Sequence, residues 1–223
     1  LLTIFYLFIF LCAEVTAISI LLNYLSGIDL WITALCILFF TLIYTLYGGL
    51  RVSIFTDNFQ LIFIIIFLLI AFSSIILNNS GNLSLDFVRS NNKHLLSTNY
   101  LNNYTAGLTF FIAVAATNLF HQGNWQRIYA AKNNKTLHKS LIVSGLIIIP
   151  IVFSMGYSGL ISKSINADVP PDLSFFSLLL INQNQLLAFL VIVLGLSLTI
   201  STVDTLINAI SSSIIVDGKF FHK

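Results

Sequence analysis

Six long apolar segments run through this chain of 223 residues and leave little sequence for anything else. A helix needs about 20 mainly apolar residues to cross a bilayer. The segments are 1–24, 31–47, 54–77, 106–121, 141–161 and 186–213. Only 8% of the residues are charged, against about 25% in an average soluble domain. The sequence therefore predicts an all-α, multi-pass integral membrane protein with a single membrane domain over residues 1–223.

The connections between the segments differ in charge. If the first segment runs from inside to outside, the cytoplasmic side holds most of the basic residues: Arg51, Arg127, Lys132, Lys135, Lys139, Lys219 and Lys223. Cytoplasmic loops are enriched in Lys and Arg, which favours this orientation. It makes 78–105 and 162–185 external loops and 122–140 a cytoplasmic loop. We expect the plasma or cytoplasmic membrane as the location, with membrane lipids as partners.

The start of the chain lies inside its first apolar segment. The segment starts at Leu1 without a Met, has no basic residues at its beginning and does not end in a cleavage site. These features are not typical of a signal peptide. We expect this segment to be a membrane span and the chain to be a fragment of a longer parent.

The last segment carries an aspartate, Asp204, in its middle. At about 100° per residue, the polar residues of this helix share one face. They are Ser201, Asp204, Thr205, Asn208 and Ser212. A charge at the bilayer centre costs about 3 kcal/mol on insertion scales, so Asp204 needs a partner. A row of oxygen ligands suits a hard cation such as Na⁺; the alternative is a helix-packing seam of hydroxyls bonded to carbonyls or across helices.

Two further acids lie in or beside apolar segments. Glu14 lies in the middle of the first segment, where an ionisable group indicates either a functional site or a structural pair with a neighbouring helix. Asp57 follows Gly48 and Gly49, which permit a tight turn. An acid in the first turn of a helix, facing the helix dipole, is the simplest explanation of Asp57.

Four stretches together resemble the sodium/solute symporter family, which includes sodium-coupled glucose, proline, sialic acid and urea transporters. They are YGGLRVSIFTDNFQ (47–60), NWQRIYAAK (124–132), ISTVDTLIN (200–208) and SSSIIVD (211–217). Their order and separations fit, and the resemblance covers essentially the whole chain. It implies a five-plus-five inverted repeat of the leucine-transporter type, with substrate at the midplane. The six spans would be core helices three to eight, and the missing first two and last two core helices would be partners of this fragment.

The resemblance implies Na⁺ as the coupling ion, without an organic cofactor. It places a shared sodium site on the last helix, at the backbone carbonyl of Leu198 and the hydroxyls of Ser201 and Thr202. The other half of that site lies outside this chain.

Some members of the family, the sialic acid transporter among them, bind a further sodium ion. The matching residues here are Asp57, Ser201, Asp204 and Thr205. The family usually has Ser or Ala where this chain has Asp204, so two carboxylates would lie near one another. Since two such carboxylates repel, either a cation lies between them or one is protonated. We therefore predict a second cation site or a proton site at Asp57 and Asp204.

The substrate side is defined by the stretch NLFHQGNWQR, because the corresponding stretch of sugar-transporting members holds an aromatic gate and polar sugar contacts. The candidates here are Asn118, Phe120, His121 and Gln122. His121 and Gln122 also fall at the inner end of a short span, where polar side chains can face a water-filled cavity. The sugar pattern is not reproduced, which argues against a close glucose transporter.

These features predict sodium-coupled symport of a small polar solute by alternating access, without enzyme activity and without a nucleic-acid partner. The sequence contains no HExxH, GxSxG or Walker motif, the patterns of common catalytic sites. Two alternatives stay open. One is a transport-inactive sensor that binds sodium and solute, and the other is a membrane-embedded enzyme that uses Asp57, Asp204 and His121 as acids and bases.

Overall fold

A computed structural model describes residues 2–79, 81–181 and 184–221, and all regular structure within them is helical. The helices are α1 (Leu2–Ser26), α2 (Leu30–Asn78), α3 (Leu85–Asn91), α4 (Leu101–Phe120), α5 (Gln122–Tyr129), α6 (Asn134–Ile165), α7 (Ser174–Leu179) and α8 (Gln185–Phe221). Single turns of 3₁₀ helix lie at Lys93–Leu96 and Pro171–Leu173. Of the described helices, α1, α2, α6 and α8 are long and apolar enough to cross a membrane. The predicted all-α membrane architecture is confirmed.

The second and third predicted spans, 31–47 and 54–77, both lie within α2, which is interrupted at Gly49. This residue has φ 52° and ψ −148°, a backbone conformation that is open to glycine and strained for other residues. Helix resumes directly after it, so Asp57 lies beyond the first turn of the following helical stretch. The helix dipole acts within that first turn. The first-turn explanation of Asp57 therefore does not hold in this structure.

The chain divides into two compact units. The first comprises Leu1–Leu68, His121–Tyr129 and Ala188–Lys223. Within it, apolar residues of α1 pack against one face of α8. Leu7 contacts Leu206 and Ala209, and Val15 contacts Val203 and Ile207. A β-carbon at Gly195 would lie 2.8 Å from the Leu21 side chain, so glycine at this position lets α1 and α8 approach closely.

The second unit comprises Leu69–Phe120 and Ala130–Leu187. Within it, the Tyr157 hydroxyl donates to the Leu83 carbonyl at 2.5 Å. Ser162 on α6 and Ser177 on α7 share a hydrogen bond of 2.8 Å between their hydroxyls. The predicted external stretches 78–105 and 162–185 thus contain the short helices α3 and α7, and both of these contact α6. Helix α6 continues through Pro150 and exposes most of its apolar side chains, as a lipid-facing helix does.

Candidate functional site

The polar residues of α8 contact α2 and α5, whereas its apolar residues pack on α1. Ser201 and Asp204 bond to side chains of α2. Thr205 and Ser212 accept hydrogen bonds from side chains of α5. Helix α8 therefore has both polar and apolar faces because its apolar face packs on α1 and its polar face bonds to side chains of α2 and α5.

Asp204 is fully buried, and hydroxyl groups surround its carboxylate. Ser53 donates to Oδ1 at 2.9 Å, and Tyr44 donates to Oδ2 at 3.0 Å. The hydroxyls of Thr56 and Thr205 lie 3.4 and 3.2 Å from the same two oxygens. An ionised carboxylate only accepts hydrogen bonds, and it has room for about four. Hydroxyl groups thus lie around both oxygens of the Asp204 carboxylate, and no ion pair to it is found among the described residues.

Asp57 has a different partner, the guanidinium of Arg127. Nη2 of Arg127 pairs with Oδ2 of Asp57, while the Ser201 hydroxyl donates to Oδ1 at 2.6 Å. The side chains of Arg127 and Asp57 are 32% and 23% exposed, so the pair is partly screened by solvent and less costly to form than a fully buried one.

Thr205 connects the two carboxylates. Its hydroxyl oxygen accepts a hydrogen bond from Nη2 of Arg127 at 2.6 Å and lies 3.2 Å from Oδ1 of Asp204. It also donates to the Ser201 carbonyl at 2.8 Å. Asp57 and Asp204 are thus linked through Arg127 and one hydroxyl group.

Helix α5 brings Arg127 to this place because its backbone lies directly against α8. A β-carbon at Gly123 would lie 2.4 Å from Cγ2 of Thr205 and 2.9 Å from Cε1 of His121, so only glycine fits at this distance. One turn later, Gln126 donates to the Ser212 hydroxyl. The close approach at Gly123 and the hydrogen bond between Gln126 and Ser212 together fix α5 on α8.

The residues of the predicted shared sodium site lie on successive turns of α8. The Thr202 hydroxyl donates to the Leu198 carbonyl at 3.2 Å. Ser201, one residue away, is bonded to Asp57 instead. Carbonyl, hydroxyl and carboxylate oxygens are the ligands that a hard cation prefers. The carbonyl oxygen of Leu198 and the hydroxyl oxygens of Ser201 and Thr202 are therefore suitable ligands for Na⁺.

The other predicted site residues are placed as follows. Asn118 and Phe120 are exposed at the end of α4, in the second unit. In the first unit, Gln122 is half-buried and His121 is 6% exposed, with its ring edge-on to Phe10 at 5.5 Å between centroids. Glu14 is half-buried in α1. Within the described part of the first unit, no hydrogen bond joins Gln122, His121 or Glu14 to the network of Asp57, Arg127, Thr205 and Asp204.

Sequence reasoning missed the residues that α2 and α5 contribute: Tyr44, Ser53, Thr56, Gln126 and Arg127. Arg127 was assigned to the cytoplasmic loop because positive-inside counting treats every basic residue alike. Two signals could have found it. Buried acids need a counter-charge, and Arg127 lies within NWQRIYAAK, a stretch already singled out.

The first unit also contains an apolar cavity of about 340 Å³. Tyr44 lines it together with Thr33, Ile37 and Ile200. Because most of its lining is apolar, this cavity does not suit a strongly polar molecule.

The sequence model of the Sodium:solute symporter family matches residues 1–218. Among curated proteins, the spermidine transporter DUR31 of Candida albicans (strain SC5314 / ATCC MYA-2876) is 27% identical over 212 residues, which is 93% of this chain. The chain spans 40% of the length of that relative. No solved structure matches the chain.

Proposed function

The chain belongs to the sodium:solute symporter family, and from this premise we propose that its parent protein couples the inward movement of Na⁺ to the uptake of a small polar solute. The supporting observation is that the Ser201 hydroxyl donates to Asp57 at 2.6 Å, while the hydroxyl of the following residue, Thr202, donates to the Leu198 carbonyl at 3.2 Å. A helix at mid-membrane that carries this set of oxygens is suited to hold a hard cation.

Sodium supplies the energy of this proposed symport. One elementary charge that crosses a potential of 100 mV releases about 2.3 kcal/mol, in addition to the concentration gradient. The residues of this chain that would hold the ion are Leu198, Ser201 and Thr202, with ligands from parent helices outside the chain. Solute and sodium would become accessible to each side in turn, which is alternating access.

The solute is best sought first among polyamines, because the relative reported above is named as a spermidine transporter. A polyamine is a small polar solute, and it is cationic, so it requires acidic partners. Glu14 is a half-buried acid of α1 that takes no part in the network around Asp204. We propose it as the first residue to examine for a solute contact.

The experiment is uptake by the full-length parent in proteoliposomes, with and without an inward Na⁺ gradient. Spermidine, sugars, amino acids, urea and carboxylates would be compared. Wild type would be measured beside Thr202→Ala and a control, Thr16→Ala, which removes an exposed hydroxyl that donates to the Cys12 carbonyl at 2.7 Å. We expect sodium-dependent uptake that Thr202→Ala reduces and Thr16→Ala leaves intact.

Two results would contradict the proposal. Sodium binding without uptake of any solute would favour the sensor alternative. Chemical conversion of a solute without sodium dependence would favour the membrane-embedded enzyme.

A further inference from the structure

The cluster around Thr205 contains one guanidinium and two carboxylates. Arg127 pairs with Asp57, while Asp204 is held by hydroxyl groups alone. With both acids ionised, the cluster carries one more negative than positive charge. Uncompensated charge at this depth is costly, so the position of the one guanidinium determines which acid is neutralised.

The geometry gives Arg127 a short route from one acid to the other. Its Nη2 lies 2.6 Å from the Thr205 hydroxyl oxygen, which in turn lies 3.2 Å from Oδ1 of Asp204. A single hydroxyl group therefore separates the guanidinium from the second carboxylate. The five N–H donors of a guanidinium form a planar fork, so Arg127 can engage a new acceptor before it releases the first.

The hydroxyl groups that donate hydrogen bonds to Asp204 leave it able to accept a cationic partner. Ser53 and Tyr44 each donate one hydrogen bond to it, so both of its oxygens act as acceptors, which is what a partner of a guanidinium must do. Tyr44 and Ser53 of α2 lie 160 and 151 positions from Asp204 in the chain, yet they meet it in the interior of the first unit. The Asp204 oxygens are thereby placed as hydrogen-bond acceptors that can receive Arg127.

We propose that Asp204 is a second acceptor for the Arg127 guanidinium, so that a cation arriving at Asp57 and Ser201 displaces Arg127 towards Asp204. The displaced guanidinium then remains paired, and the incoming ion finds a free carboxylate. After this exchange, the added cation and Arg127 together balance Asp57 and Asp204. The coupling to Na⁺ rests on the proposed symport, whereas the ability of Asp204 to accept Arg127 does not.

The first test uses no sodium. Unfolding temperatures of the purified parent would be compared for Asp57→Asn, Asp204→Asn and the double variant. If Asp204 can accept Arg127, either acid alone suffices as its partner, and only the double variant leaves Arg127 unpaired. The sum of the two single shifts gives the unfolding temperature expected for independent effects. We expect the unfolding temperature of the double variant to lie about 3 °C or more below that value. Additive shifts would overturn the proposal.

The matched control removes the guanidinium. In an Arg127→Gln background no guanidinium needs either acid, so the excess destabilisation of the double variant should shrink to the part that comes from repulsion between the two acids, which either substitution relieves. If the double variant does not fold, addition of Arg127→Gln should restore folding when an unpaired guanidinium is the cause. Failure of Arg127→Gln to restore it would contradict the proposal.

The second test measures the sodium concentration that gives half of the sodium-dependent stabilisation. Asp204→Asn should raise this concentration about tenfold in wild type and less than about twofold in the Arg127→Gln background. Equal factors in both backgrounds would make Asp204 a direct ligand and overturn the exchange. A wild type that sodium does not stabilise would overturn the proposed symport, and the sodium-free cycle would still judge the pairing of Arg127 with Asp204.

Discussion

Arg127 forms an ion pair with Asp57, although the two residues lie 70 positions apart in the chain. The pair joins α5, a helix of eight residues, to the middle of α2. Because Ser201 of α8 donates to the same carboxylate, three helices meet at Asp57. The polar face of α8 is thus an internal contact surface that is also suited to bind a cation.

Loss of the guanidinium should destabilise the first unit. Arg127→Gln leaves Asp57 and Asp204 as neighbouring anions without a counter-charge, at an expected cost of about 1–2 kcal/mol, between the values for exposed and buried pairs. The matched control is Arg51→Gln, since Arg51 is exposed in α2. Its effect should stay within about 0.5 kcal/mol. Chemical denaturation of the purified parent measures both, and equal effects would show that the ion pair does not stabilise the fold.

Removal of one hydroxyl donor should weaken the environment of Asp204. Tyr44→Phe keeps the ring and deletes the hydrogen bond of 3.0 Å. A hydrogen bond to a charged group contributes about 1.5–3 kcal/mol, so we expect a loss of that order. Tyr47→Phe is the control because Tyr47 is 92% exposed, and it should be nearly neutral. If thermal unfolding gave the two variants the same stability, Asp204 would not depend on Tyr44.

The close approach of α5 to α8 makes Gly123 sensitive to the addition of one methyl group. In Gly123→Ala the new β-carbon would meet Thr205 at 2.4 Å, and overpacking of this kind costs about 1–3 kcal/mol. Gly145→Ala is the control, because nothing lies within 4 Å of a β-carbon there. It should be neutral or stabilise α6 by up to about 1 kcal/mol. A Gly123→Ala protein as stable as Gly145→Ala would contradict the described packing.

The interruption of α2 should require glycine. Gly49 has φ 52° and ψ −148°, and a side chain in such a conformation costs about 1–3 kcal/mol. Gly49→Ala should therefore lower the unfolding temperature of the parent. Gly81→Ala serves as the control, because a β-carbon at Gly81 has nothing within 4 Å. If both alanines were tolerated equally well, the two halves of α2 would not be joined as described.

The sequence was sufficient to predict the helical membrane architecture, because long apolar segments allow little else. Helical periodicity also predicted that Ser201, Asp204 and Thr205 share one face of α8. It could not predict which side chains meet that face. Tyr44 and Ser53 come from another part of the chain, and no local pattern relates them to Asp204.

The contacts of Arg127 could not be predicted from the sequence either. Its charge and position in the sequence are evident, but a count of basic residues assigns it only to the cytoplasmic side. The packing of Gly123 against Thr205 and the hydrogen bond from Gln126 to Ser212 bring it to Asp57. The break at Gly49 was anticipated as a turn from the glycine pair, whereas the helix that resumes beside it was not. That helix moves Asp57 away from the helix end and into the site.

The most direct test of the central claim is uptake of radioactive sodium by the full-length parent in proteoliposomes, driven only by an inward gradient of a transported solute. We predict that the solute gradient drives sodium into the vesicles in wild type, and that Ser201→Ala abolishes this coupled uptake. Transport of the solute without any accompanying sodium would contradict sodium-coupled symport.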